Sequence, residues 1–183
     1  IKKFNDIGIN NLMLDLKLHD IPATINRSIL ALKGIKFGYL TVMALGGNEM
    51  IKQAKKAAGE IDSNIKVLAV TILTSISQSE LSKMGTNSSI KDMVIQLAKN
   101  SSDADGYVAS SLETKALREK VSKDKLIFCP GIRMPDDPKD DQVRTSTPAL
   151  AFKNGADAII MGRSLMKGNI EENLNRVSAS LKI

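Results

Sequence analysis

Residues 12–22 read LMLDLKLHDIP and set two aspartates, a lysine and a histidine among apolar side chains. Taken with period two, Leu12, Leu14, Leu16 and Leu18 share one face of a strand, and Met13, Asp15, Lys17 and His19 the other. The leucine face suits packing against helices. The other face carries a carboxylate and an ammonium about 6–7 Å apart along the strand. Burying such ions costs several kcal/mol each unless they are paired and hydrogen-bonded, so a structural ion pair on an edge strand is one reading. Position favours another, because Asp15, Lys17 and Asp20 converge on one strand end just before a helix. In a β/α barrel that end is the mouth where active sites sit.

Two later strand-like runs end in the same manner. DAIIMGRS stops at Gly162 and Arg163, and LIFCPGIR at Gly131 and Arg133. Glycine lets an anion approach backbone N–H groups, and arginine offers a bidentate fork. Either arginine alone reads as an ordinary surface or salt-bridge residue. Two such ends in succession, one leading into the polar stretch MPDDPKDDQVRTS, read instead as a phosphate site beside a loop of lid length. Asp136, Asp137, Asp140 and Asp141 of that loop lack the alternating ligands, central glycine and closing glutamate of a calcium site. One histidine, His19, and one cysteine, Cys129, supply neither a zinc set nor a hydrolytic triad. No metal is expected.

These residues need a frame. Six apolar or β-branched runs (LMLDLKL, FGYLTVMAL, IKVLAVTIL, DGYVAS, LIFCPG, ADAIIMG) alternate with segments of helical spacing. Ile21, Ile25, Ile29 and Leu32 make one helical stripe, with Asp20 as its expected N-cap, Pro22 in its first turn and Gly34 as its stop. Further helices are expected over 47–58, 88–100, 112–121, 147–154 and 171–181. Alternation of this kind predicts a parallel sheet covered by helices. By count, six units permit an open doubly wound sheet; the charged strand ends favour the TIM (β/α)8 barrel family, whose sites lie at that end. A closed barrel takes about 250 residues. The chain of 183 is therefore expected to be a single β/α-barrel domain, 1–183, holding six of eight units and incomplete at its amino terminus.

Composition narrows the partners. The net charge of +6 fits a polyanion, an anionic small molecule or ordinary solvated lysines. Nucleic acid is the weaker choice, because the lysines are dispersed and aromatics make up 3% with no tryptophan for stacking. No apolar run approaches the roughly 20 residues of a membrane span, and IKKFNDIGIN has no signal-peptide core. A lone cysteine excludes an internal disulfide framework and fits a reducing, cytoplasmic location.

The stretch Asp15-Leu16-Lys17-Leu18-His19-Asp20-Ile21-Pro22-Ala23-Thr24 closely resembles the D-x-K-x-x-D-I-P-x-T signature of the orotidine 5′-monophosphate decarboxylase family. Leu73-Thr74-Ser75, Pro130-Gly131-Ile132-Arg133, Asp141-Gln142-Val143-Arg144 and Gly162-Arg163-Ser164 resemble the same family in order and spacing. The resemblance implies a cofactor-free, homodimeric β/α barrel that converts orotidine 5′-monophosphate to UMP and carbon dioxide, the last step of pyrimidine nucleotide synthesis. It implies Lys17 beside C6 of the pyrimidine, Asp15 as its neighbour in a charged network, and Asp20 reaching into the partner subunit's site. Ile21 and Thr24 are then nucleotide contacts at or near that interface, Thr74 a ligand contact and Ser110 a pyrimidine contact. Gln142, Gly162 and Arg163 form the phosphate grip, with Arg133 at the base of the closing loop. In two respects the sequence departs from the family. The family's first two strand–helix units, with an aspartate and a lysine of the network, have no counterpart, and Met43 stands where many members carry histidine. The rivals are a metal-dependent sugar-phosphate decarboxylase or aldolase of the same superfamily, against which I-P-x-T argues, and a phosphate-ligand binding module without activity.

Overall fold

The computed structural model describes residues 1–137 and 144–181. They fall into two compact units, Ile1–Thr71 with Gln96–Tyr107, and Ile72–Ile95 with Val108–Ile183. The first unit runs α1 (Lys2–Asp6), β1 (Met13–Leu18), α2 (Pro22–Leu30), β2 (Tyr39–Met43), a 3-10 turn, α3 (Gly47–Ile61) and β3 (Lys66–Val70). The second holds α4 (Gln78–Lys83), α6 (Ser111–Arg118), β5 (Leu126–Cys129), α7 (Pro148–Lys153), β6 (Ala158–Ile159), α8 (Arg163–Met166) and α9 (Ile170–Leu181). Helix α5 (Ile90–Lys99) and strand β4 (Gly106–Val108) are divided between the two. Six strands alternate with helices, and within each unit strand neighbours follow chain order. The α/β class expected from the sequence is the class observed.

In the first unit β1 pairs with β2 and β2 with β3, all in parallel, and Tyr39–Met43 runs in unbroken register with Lys66–Val70. Leu40 and Val42 of β2 and Val67, Leu68 and Ala69 of β3 are fully buried, as strands covered on both faces must be. Ile25 and Ile29 of α2 are fully buried, as are Met50, Ile51, Ala54 and Ala57 of α3, on which α2 packs. Each such large apolar side chain contributes about 1.5–3 kcal/mol through burial. In the second unit β5 and β6 pair in parallel, Phe128 opposite Ala158 and Cys129 opposite Ile159.

An aspartate fixes the start of a strand pair in each unit. Asp105 takes the Val67 N–H on Oδ2 (2.9 Å) and Lys55 on Oδ1 (3.0 Å), while its own N–H donates to the Val67 carbonyl. Asp157 takes the Ile127 N–H (2.7 Å) and Arg118 (2.6 Å), and its N–H donates to the Ile127 carbonyl. Each carboxylate takes the amide of a strand's second residue, Val67 of β3 or Ile127 of β5, and ties that strand to the start of its neighbour.

Three local expectations are corrected. Ile21, not Asp20, is the N-cap of α2: a residue before proline is held extended, Ile21 sits at φ −62°, ψ 151°, and the helix begins only at Pro22. The α2 helix closes at Leu30, with Ala31 as its C-cap, and the chain then tightens into turns before Gly34 at φ 90°; Leu32 lies beyond the helix. Strict alternation through 12–19 also fails. Leu14 lies opposite Leu40 and Leu18 opposite Val42, so β1 carries two more residues than β2 over that interval. Lys17 absorbs the irregularity at φ 48°, and Leu16 is 46% exposed rather than packed. The helix α4 was missed, although Ser77 and Glu80 form a capping box that the spacing S-x-x-E signals.

Candidate active site

The end of β1 places the signature residues in the first unit. Lys17 Nζ donates to Asp15 Oδ2 at 2.5 Å. The second carboxylate oxygen, Oδ1, accepts from the Thr41 hydroxyl of β2 at 2.9 Å, and that hydroxyl accepts from the Lys17 backbone N–H at 2.9 Å. Thr41 is fully buried, whereas the Lys17 and Asp15 side chains are 41% and 42% exposed. Among the described residues Lys17 is the only non-glycine at positive φ, a conformation that costs an ordinary residue about 1–2 kcal/mol. Such strain persists where surrounding bonds over-determine it. The result is a strand end whose backbone is wound against its preference and whose ion pair remains open to solvent.

Asp20 does not flank Lys17 within the chain: it is exposed, and its Oδ1 accepts from the Ile21 N–H at 2.7 Å. Proline at 22 holds Ile21 extended beside it. Ile21 is 65% exposed, and Thr24 is half-buried in the first turn of α2.

The second unit holds the arginines. Pro130 and Gly131 carry the chain out of β5, and Gly131 adopts φ 75° with the Arg144 carbonyl so close that a Cβ would sit 2.8 Å from it. The two stems of the following loop are joined: Arg133 N–H donates to the Ser146 carbonyl (2.8 Å), and Ser146 N–H to the Gly131 carbonyl (3.0 Å). Arg133 is buried at 6% exposure, with Nη1 donating to Ser164 Oγ at 3.3 Å. Gly162 is the N-cap of α8, and a Cβ there would meet nothing within 4 Å. Arg163 follows as its first residue. Gln142, together with Asp140 and Asp141, lies outside the described residues.

Arg133, Arg163, Lys167 and Arg176 line one cavity of about 760 Å³ with Asp137 and Ser164. Among the described residues of its lining, four cationic side chains stand against one carboxylate, which suits an anion. Partial burial raises the Asp137 carboxyl, but hydrogen bonds from Ser164 and the Met134 N–H, with Arg176 and Arg133 nearby, hold it below its ordinary value. Asp136 takes Arg176 on both oxygens at 2.7 Å.

Thr74 and Ser110 sit apart from that cavity. Thr74 is buried, and its carbonyl accepts from the Arg144 N–H at 3.3 Å. Ser110 caps α6, accepting from the Leu112 N–H at 3.3 Å. Beside it lies an ion pair that sequence reasoning missed. Arg144 Nη1 donates to Glu113 Oε2 at 2.8 Å, and Nη2 to the carbonyls of Ile72 and Leu73 at 3.1 and 3.0 Å, with both side chains 8% exposed. Burial raises the Glu113 carboxyl, and the Arg144 charge and hydrogen bond oppose that rise. Cys129 is buried against the Thr114 hydroxyl, and burial pushes its thiol up to about 11, which leaves it protonated and inert. No three His, Cys, Asp or Glu side chains cluster as metal ligands among the described residues, and no described helix is long and apolar enough to cross a membrane.

The first unit thus carries an ammonium–carboxylate pair at the end of a strand, and the second a cationic cavity beside glycine–arginine ends, each on parallel α/β elements. Residues 1–175 match the family described as orotidine 5′-phosphate decarboxylase / HUMPS. The orotidine 5′-phosphate decarboxylase of Fusobacterium nucleatum is 43% identical over 159 residues, covering 85% of this chain and 67% of that protein. The protein of the same name from Lactobacillus johnsonii is 44% identical over 172 residues, 90% of this chain and 73% of its own length. The crystal structure of orotidine 5′-phosphate decarboxylase from Lactobacillus acidophilus superposes with a TM-score of 0.82 at 35% identity, covering all of this chain and 80% of that one. The chain belongs to the orotidine 5′-phosphate decarboxylase / HUMPS family, and its fold is of the TIM-barrel type.

Proposed function

We propose that this chain is a carbon–carbon lyase that converts orotidine 5′-monophosphate to UMP and carbon dioxide in pyrimidine nucleotide synthesis, without a cofactor. The observation that carries the reading is the Lys17–Asp15 pair on the strained end of β1, within a signature that runs unbroken from Asp15 to Thr24. Loss of carbon dioxide leaves an electron pair at C6 with little resonance relief, so the barrier is electrostatic. A fixed ammonium at that carbon stabilises the transition state more than the ground state. Lys17 then gives its proton to C6, and Asp15 holds the ammonium in place beforehand. Repulsion between Asp15 and the substrate carboxylate is a smaller term, because the adjacent lysine offsets much of it.

Arg163 and Gly162 grip the phosphate, with Gln142 completing the grip and Arg133 set in the wall of the same cavity. Binding energy from this remote group holds the base in place and excludes water. Thr74 and Ser110 contact the nucleotide. The active form is a homodimer in which Asp20, Ile21 and Thr24 serve the partner's site; the exposure of Asp20 and Ile21 supports this role. The enzyme is cytoplasmic, as its single buried thiol suits.

Ultraviolet absorbance of orotidine 5′-monophosphate mixed with the protein tests the reading. Absorbance is expected to fall with or without EDTA. Arg163→Ala is expected to raise KM by about a hundredfold, the worth of a bidentate charge-assisted contact. Binding without absorbance change identifies a module without activity, and abolition by EDTA identifies the metal-dependent rival.

A further inference from the structure

We propose that Thr41 is a positioning residue for the Lys17–Asp15 pair, an inference that rests on the decarboxylase reading above. Thr41 lies in the middle of β2, fully buried between Leu40 and Val42, which are also fully buried. Its hydroxyl is satisfied twice by one site: it accepts from the Lys17 N–H and donates to Asp15 Oδ1, each at 2.9 Å. That leaves Asp15 Oδ2 for Lys17 Nζ at 2.5 Å. One hydroxyl therefore fixes both the backbone twist that carries Lys17 to φ 48° and the rotation of the carboxylate that receives its ammonium. Threonine is stiff at χ1 because of its branched Cβ, and burial removes competing water, so the oxygen has one place to stand.

A merely structural threonine predicts something different. Valine has nearly the same shape and an equal liking for strands, and differs by the hydroxyl alone. With valine, the Lys17 N–H loses its acceptor, Asp15 Oδ1 loses its donor, and the ammonium loses its fixed place. The phosphate cavity lies wholly in other residues, Arg133, Arg163 and Arg176 among them, so binding should change little.

The test compares wild type, Thr41→Val and Thr41→Ser for turnover of orotidine 5′-monophosphate, and for the rate of Lys17 acetylation by acetic anhydride at one pH, read by mass spectrometry. In Thr41→Val, kcat is expected to fall by at least about thirtyfold with KM changed less than about threefold, because the lost contacts act on the transition state. Thr41→Ser is expected within about threefold of wild type, since it keeps the hydroxyl. Lys17 is expected to be acetylated faster in Thr41→Val than in wild type, where its ammonium is held against Asp15 Oδ2. A Thr41→Val enzyme with unchanged kcat, or a Thr41→Ser enzyme as impaired as Thr41→Val, overturns the proposal. Absence of turnover in wild type is failure of the decarboxylase reading, and the acetylation rates then decide: equal rates in wild type and Thr41→Val overturn the positioning role. Should Thr41→Val not fold, Thr41→Ala removes the hydroxyl with less bulk and meets the same two measurements.

Discussion

Asp157 at the entry of β6 and Asp15 at the exit of β1 each pair with a cation, yet the two are built in opposite ways. Asp157 holds the Ile127 amide near the start of the neighbouring strand and is itself held through its N–H, with Arg118 also bound to the Gly155 carbonyl. Asp105 repeats the arrangement with Val67 and Lys55. Among the described residues Asp15 takes no strand amide. It accepts from a hydroxyl and from an ammonium whose own backbone is strained, and the pair stays open to solvent. The entry ends spend their charges on register; the exit end of β1 keeps one available at a structural cost. The buried Glu113–Arg144 pair, with Arg144 also bonded to the Ile72 and Leu73 carbonyls, belongs with the first kind.

If this contrast is sound, the holding pairs must matter to stability. Arg144→Met leaves the Glu113 carboxylate buried without its cation and is expected to cost about 3–5 kcal/mol in denaturant unfolding. Replacing both partners, Arg144→Met with Glu113→Leu, is expected to cost less than the single change, because no uncompensated charge remains. Asp105→Ala removes a charge-assisted bond to a strand amide and is expected to cost about 1.5–3 kcal/mol. Asp157→Ala should cost less, about 1 kcal/mol, since that carboxylate is 41% exposed and solvent screens it. A stability loss in Asp157→Ala as large as in Arg144→Met would erase the ranking by burial.

The fold was legible because its signals are local. Apolar runs and helical stripes such as Ile25 and Ile29 appear within one window of sequence, and the helix over Gly47–Ile61 starts where its spacing indicates. The charged signature was legible for the same reason, since Asp15, Lys17 and Asp20 lie within six residues. What stayed hidden depends on distance along the chain. Thr41 meets Asp15 across 26 residues, and Arg144 meets Ile72 across 72, so no spacing rule brings them together. The bulge at Lys17 was hidden by the leucines around it, whose alternation reads as a regular strand. Pro22 did announce that Asp20 could not cap α2, because the residue before proline is barred from the helix.

Lys17→Ala, assayed for turnover of orotidine 5′-monophosphate and for unfolding free energy on the same preparation, separates the two kinds of charge most directly. The account predicts a loss of turnover of at least about a thousandfold with stability within about 1 kcal/mol of wild type, the limit for an exposed pair. A folded Lys17→Ala protein that turns over substrate at the wild-type rate contradicts it.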